Sequence, residues 1–381
     1  MPYGDISSVN DSLTFEPNRA LRSHAHWRQH PIYMVAYRGN DFNAWLTTLQ
    51  IDFYGQISDS IIDSWQFDVT PANHTFPMYI HDDICVIAYL NSSSHTILIS
   101  FSVNSNGTIT KSIIDTCTLD PVGGVPNHIM NLGGGYLAIS ITGAGGPGDI
   151  HTLKVETDGS MPLSPTGSLR IEPSRCVYPE LYRVDGDIYA FAYEGPGDDG
   201  LLKTVNISKF GLIGPAAIDT YEFDPTGPCH DLTICKTNNY FPITYRGPGH
   251  DGFIKVLQID DDGNITKSIF DTYEFDTTSC HNPDSVRLGQ GYFLVVYTGT
   301  DLDGFAKTFM TDSNGHLNST TIDTLEFDTV GGADPDLIRY ASSGYAVFYT
   351  RDAYYGEVKT FTAQEAPEGK VHHEMLTGIG P

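Results

Sequence analysis

The hexapeptide "DTYEFD" occupies Asp219–Asp224 and recurs without change at Asp271–Asp276, 52 residues further on. Stepping by the same interval reaches DSLTFE at Asp11, DSWQFD at Asp63, DTCTLD at Asp115 and DTLEFD at Asp323. The remaining step lands on GSLRIE, Gly167–Glu172, which reads as unrelated. A second series keeps the interval: Tyr37, Tyr89, Ile141, Tyr193, Tyr245, Tyr297 and Tyr349. Neither series shows an insertion or a deletion. From Asp11 to about Glu374 the chain is a tandem array of seven units, and the period must be explained before any motif inside it.

One unit, Asp271–Ile322, shows what repeats. PDSVRL (Pro283–Leu288), YFLVVYTG (Tyr292–Gly299), FAKTFMT (Phe305–Thr311) and LNSTTIDTLEFD (Leu317–Asp328) are short runs rich in β-branched and aromatic residues. Gly, Asn and Asp clusters separate them, so they read as four strands. DSNG, DDDGN and NSNG are hairpin turns, because Gly or Asn supplies the positive φ that such turns need. No segment sustains a helical period.

The second run of each unit is apolar at consecutive positions: CVIAY (Cys85–Tyr89), YAFAY (Tyr189–Tyr193), FLVVY (Phe293–Tyr297), YAVFY (Tyr345–Tyr349). A strand apolar on both faces must be covered on both faces. Independent domains of 52 residues would each lack a sufficient core. Four-stranded sheets packed radially meet both conditions, so the expected fold is all-β: a seven-bladed β-propeller of antiparallel blades. The whole chain, 1–381, is read as one propeller domain. Within a unit the outer strand comes first. Residues 6–17 then form an outer strand whose own blade is missing, and they are expected to pair with the last copy, Asp336–Gln364, and close the ring. That copy's own outer strand is degraded to GKVHHEMLTG (Gly369–Gly378). In the hexapeptide, Tyr273 and Phe275 pack the strand, and the Asp side chains are read as bonding backbone at the turn toward the next blade.

Composition narrows the partners. The chain carries 47 acidic against 21 basic residues, a net charge of −26. Such a surface repels phosphate backbones, and no basic stripe with interleaved aromatics offsets it, which argues against nucleic acid. No apolar run reaches the length of a membrane span, and MPYGDISSVN carries no signal-peptide core, so no membrane insertion is expected. Seven N-x-S/T sequons and the acidic, Tyr-rich composition point to an extracellular, cell-surface or virion setting. A monomer is expected. The six cysteines have neither CxxC nor disulfide-framework spacing, and Cys85 is read as a small buried hydrophobe.

Candidate functional residues cluster where each chain segment passes from one unit's outer strand to the next unit's inner strand. These segments diverge most: LRSHAHWRQ, NHTFP, VPNHI, RCVYPEL, CHDL, CHNPD and ADPDL. Constancy of the frame with divergence at one rim is the pattern of a grafted site. The binding candidates are Arg22, His24, His26, His74, His128, Tyr178, Glu180, His230, Asp231, His281, Asp284 and Asp336. The blander reading is that strand starts collect polar residues to satisfy loop backbone. If the rim is catalytic, His74, His128, Tyr178, His230 and Arg175 are the residues for proton transfer and charge stabilisation. Cys229–His230 and Cys280–His281 hold nearly one register on adjacent units, so zinc is weighed there against buried thiols. Calcium on Asp198/Asp199 or Asp301/Asp303 is weighed against a plain Gly-rich connection. Lys203, Lys255, Lys307 and Lys359 recur at one register and are read as exposed partners of neighbouring acids, each worth little.

YRGPGHDGFIK (Tyr245–Lys255), GNITKSIFDTYEFD (Gly263–Asp276) and NPDSVRL (Asn282–Leu288) resemble the tandem β-propeller repeats of archaeal and bacterial cell-surface proteins. That resemblance spans nearly the whole chain and implies adhesion, surface-layer or ligand-binding roles, with no shared catalytic motif. Propeller polysaccharide lyases are similar in architecture and in a His/Tyr/Arg-lined mouth. The leading expectation is a non-enzymatic recognition or scaffold module that binds a glycan or protein at the axial rim. A polysaccharide-active enzyme (lyase or hydrolase) and a structural surface-lattice subunit are the alternatives.

Overall fold

The computed structural model describes residues 2–318 and 320–367. Seven four-stranded antiparallel sheets form a propeller ring. The inner strands of blades 1 to 7 are Leu21–Gln29, Asn73–His81, Val125–Gly133, Val177–Asp185, His230–Ile234, His281–Gly289 and Ala333–Ala341. The divergent segments are therefore largely the inner strands themselves rather than loops ahead of them. Second strands such as Ile32–Arg38 and Ile84–Leu90 are buried at nearly every position, because each is covered on both faces.

Outer strands alternate. Asp271–Asp276 exposes Thr272 and Glu274 and buries Phe275. The Phe275 ring lies so close to Gly252 on the third strand that a Cβ there would sit 2.6 Å from it. Glycine at that register lets the outer strand close on its neighbour.

Each carboxylate of the hexapeptide has a defined task. The first Asp reaches the next blade: Asp219 accepts from the Ile265 N–H and Asp271 from the Leu317 N–H, each at 2.8 Å. The last acid sits at the blade interface. Tyr245 donates its hydroxyl to Asp224 at 2.5 Å, and Lys255 approaches the same oxygen at 2.9 Å. Tyr297 and Lys307 do the same for Asp276, and Tyr349 and Lys359 for Asp328. The tyrosine series of the repeat is thus a series of inter-blade hydrogen bonds. Burial pushes the Asp224 carboxyl up, but hydrogen bonds from Tyr245, Thr226 and Lys255 outweigh it and hold the group below its ordinary value.

Two sequence expectations are corrected here. The lysines are not exposed: Lys203 is 9% exposed, and Lys255, Lys307 and Lys359 are half-buried with their charge directed at a buried acid. GSLRIE is not outside the pattern either. It forms the outer strand of blade 3, and Glu172 takes the place of the last Asp, bound by Tyr193 at 2.6 Å and Lys203 at 3.0 Å.

The ring closes as expected. Asp11–Glu16 pairs antiparallel with Gly356–Thr362, from Asp11 opposite Thr360 to Glu16 opposite Gly356. The N-terminus also mimics a hairpin for blade 6: Ile6 N–H donates to Asp323 at 2.7 Å, and Thr308 donates to the Gly4 carbonyl at 2.6 Å. Thr204 and Gly263 make the same contact inside the array, at 2.5 Å. The degraded strand at Gly369–Gly378 and the array's end near Glu374 lie outside the described residues.

Candidate axial binding site

Near its start each inner strand slips register against its second strand. In six blades two residues are left unpaired, and in blade 3 one. The first of the two has a positive φ of 45–51° in all six: Arg22, His74, Tyr178, Asp231, Asn282 and Asp334. Bulky residues adopt that conformation at a cost of order 1–3 kcal/mol each. The bulge re-aims the side chains that follow, as bulges at barrel rims do.

The result is a cavity of about 580 Å³ on the axis, lined by residues of all seven blades. Its upper tier is a hydrogen-bonded chain. Asn282 donates to Asp334, Asp334 accepts from the Arg22 backbone, and Arg22 meets His74 Nε2 at 2.5 Å. Burial and the nearby Arg22 charge lower the His74 pKa to about 3, so the ring is neutral and accepts from the guanidinium. Tyr178, 43% exposed, and Asn127 continue the tier. Asp231 is turned to Arg246 at 3.1 Å.

The lower tier is two residues further along each strand, one in blade 3: His24, Phe76, His128, Glu180, Thr233, Asp284 and Asp336. His24 packs on Phe76 with ring centroids 4.1 Å apart. Burial lowers His24 and His128 to about 4, and the Nδ1 of each has no hydrogen-bond partner among the described residues. The carboxyls brace the next blade. Asp284 accepts from Leu337 N–H and Asp336 from Ala25 N–H, each at 2.8 Å, and Glu180 accepts from the Ile234 N–H and the Thr233 hydroxyl. This bracing is the backbone satisfaction that the blander sequence reading invoked, and it holds for these three acids. Burial raises all three; the Asp284 charge adds to the shift at Asp336 and Glu180, and Asp284 itself reaches about 6.

Nine of the twelve binding candidates thus line one cavity: Arg22, His24, His74, His128, Tyr178, Glu180, Asp231, Asp284 and Asp336. Three do not. His26 lies a tier below, its Nδ1 2.6 Å from the Trp27 carbonyl. His230 and His281 stand ahead of the bulge and turn to the preceding blade, His230 to Glu194 at 2.5 Å and His281 to Arg246 at 2.6 Å. Blade 5 carries one extra residue before its inner strand and one fewer after it, so Asp231 takes the register that counting by 52 assigns to His230. Of the catalytic candidates, His74, His128 and Tyr178 line the cavity, whereas Arg175 joins Glu194 and Asp198 outside it. Sequence reading missed Ser23, Phe76, Asn127, Thr233, Asn282 and Asp334 as lining residues. A step of two from each candidate, the strand period, would have found Phe76 from His74 and Asn282 from Asp284.

The proposed metal ligands separate. Cys229 and Cys280 are fully buried in two different apolar clusters, and burial drives both thiols well above their ordinary value. Among the described residues no group of three or more His, Cys, Asp or Glu is placed to hold a metal ion, the Asp198/Asp199 and Asp301/Asp303 loops included. No helix among them is long and apolar enough to cross a membrane.

No family model matches the chain, and no curated protein matches it. Solved propellers do. A hypothetical selenium-binding protein from Sulfolobus tokodaii superposes with a TM-score of 0.57 at 10% identity, covering 86% of this chain and 92% of that one. A putative 6-phosphogluconolactonase from Bacteroides uniformis gives 0.56 at 12%, covering 77% and 84%. Sqt1 from Chaetomium thermophilum gives 0.56 at 11%, covering 96% and 87%. At such identity the likeness establishes the fold and carries no function. These comparisons do not reach the cell-surface group that the repeats resemble.

Proposed function

We propose that the protein is a non-enzymatic recognition module that binds a glycan residue or chain end in the axial cavity. One observation carries this reading: on a frame of seven like four-stranded blades, the inner strands place a different polar set from each blade into a single cavity. Polar groups around an apolar patch, here Phe76 packed on His24, are the usual make-up of a small-ligand site. The extracellular or cell-surface setting expected from composition fits such a role.

The alternative is a polysaccharide-active enzyme that uses His74, His128 and Tyr178. Neutral imidazoles are present, but a general base works best with a pKa near the working pH. Burial has moved His128 to about 4, in the opposite direction. A lattice subunit would instead self-associate, which sedimentation would show.

The test is a glycan array followed by calorimetric titration of each hit. Saturable binding without release of reducing or unsaturated ends is expected, weakened about tenfold in His128→Ala. Turnover that His128→Ala abolishes would replace the binding reading with the enzymatic one. Binding indifferent to both His128→Ala and Phe76→Ala would remove the cavity as the site.

A further inference from the structure

The cavity is divided by residue type. Among the described residues, the imidazoles and the guanidinium that line it, His24, His74, His128 and Arg22, come from blades 1–3. All five lining carboxyls come from blades 4–7. Two of the five are answered within the protein, Asp231 by Arg246 and Asp334 by Asn282 and the Arg22 backbone. Glu180, Asp284 and Asp336 have no cationic partner among the described residues; they accept only from backbone N–H groups and one hydroxyl. Each carboxylate has more acceptor sites than those contacts fill.

The contrast with the rest of the molecule is informative. The repeated acids buried between blades 3 and 7, Glu172, Asp224, Asp276 and Asp328, each meet a lysine. At these four interfaces the fold sets a lysine against the repeated acid, and it leaves the axial three without a cation among the described residues. A second, independent feature lies across the cavity. Ser23, which lines it and is 1% exposed, has no partner for its hydroxyl, and Nδ1 of His24 and of His128 also have none among the described residues. Unmet polar groups on both sides of one cavity suit a ligand that is cationic on one side and hydroxylated on the other.

We infer that the axial cavity takes an amino sugar with a free amino group. The ammonium lies against Glu180, Asp284 and Asp336, the apolar ring face lies on Phe76 beside His24, and hydroxyls meet Ser23 and the imidazoles. An organic ammonium fits better than a metal ion, because the lining acids and imidazoles are not placed as a chelating group. Three N–H donors spread over three separated acceptors do not require a common centre. The inference rests on the glycan reading above and specifies its ligand.

The experiment is calorimetric titration of the full chain with glucosamine, N-acetylglucosamine, glucose and 2-aminoethanol. Glucosamine is expected to bind at least about tenfold more tightly than the other three, as charge-assisted hydrogen bonds require. Asp336→Asn and Glu180→Gln are each expected to lower glucosamine affinity about tenfold and N-acetylglucosamine affinity by less. Two variants are used so that one that fails to fold does not void the test. If N-acetylglucosamine or glucose binds as well as glucosamine, the amine is irrelevant and the inference falls while the glycan reading stands. If 2-aminoethanol binds as well, the sugar ring contributes nothing and both fall. If none of the four binds, the inference falls, and the array alone decides the glycan reading.

Discussion

Blades 1–3 and blades 4–7 share one repeat but spend their polar residues differently. From the interface of blades 3 and 4 to that of blades 6 and 7, the last acid of each repeated hexapeptide is bound by both a tyrosine and a lysine. Earlier in the chain the lysine register holds Thr47, Ile99 and His151, and the acid there meets no lysine, as where Asp68 meets Tyr89. Ile141 stands where that tyrosine would be in blade 3. On the axis the polarity divides at the same place, imidazoles on the first three blades and carboxyls on the last four. In the closed ring the two sets meet twice, at blades 3 and 4 and at blades 7 and 1, the second beside the closing strand. A repeat therefore conserves geometry, while local chemistry drifts wherever the backbone is already held.

The largest expected effect tests what both halves depend on. Removing residues 1–17 deletes the fourth strand of blade 7, the Asp11 contact to Ile57 and the Gly4–Ile6 hairpin mimic on blade 6. The melting midpoint followed by circular dichroism is expected to fall by about 10 °C or more, since each kcal/mol lost moves it by a few degrees. An unchanged midpoint would mean that closure adds nothing to either half.

Next in size is the lysine itself. Lys255→Met leaves Asp224 buried with only the Tyr245 and Thr226 hydroxyls and a backbone N–H, and is expected to cost about 3 kcal/mol in urea unfolding. Tyr89→Phe, at an interface without lysine, removes one hydrogen bond to a half-buried acid and is expected to cost about 1 kcal/mol. Equal losses would erase the distinction between the halves.

The smallest effect separates the two axial walls by pH. His24, His26 and His128, at about 4, and His74, at about 3, resist protonation when folded, because burial disfavours their charged form. Their neutral form costs nothing above the ordinary value of 6.5, and stability is lost as pH falls from there toward 4. Asp284 acts in the other direction. Raised by burial to about 6, it takes up its proton in the folded state first, so its penalty is relieved as pH falls from 6 toward 4. Glu180, Asp334 and Asp336, raised by burial like Asp284, act with it and oppose the drop in melting midpoint that the four imidazoles drive between about pH 7 and 5. His128→Phe should make the drop shallower and Asp284→Asn should make it steeper; the reverse order would show that the assigned walls do not control the titration.

Much of the frame was legible in the residues. A period of 52 with four strand-like runs, and second strands apolar on both faces, leave few architectures other than radial blades. The phase of the repeat also located the closing strand at the N-terminus. Burial of the recurring lysines was not legible, because it depends on the adjacent blade, whose acid lies 31 residues away in the chain. The place of Glu172 was hidden for the same reason: a hexapeptide that differs in letters keeps its role when its partners lie in another blade.

The sequence alone determined the number of blades, their order, the apolar second strands and the segment that locks the ring, since all follow from periodicity and local patterning. Only the tertiary structure decided which polar side chains share the axis. That choice depends on a bulge with a positive φ at the head of the inner strands and on a one-residue shift in blade 5. Together they carry Asp231 into the cavity and turn His230 and His281 to neighbouring blades. A period of 52 is blind to a displacement that reverses within the same blade, yet a shift of one residue is enough to change which side of a strand faces the ligand.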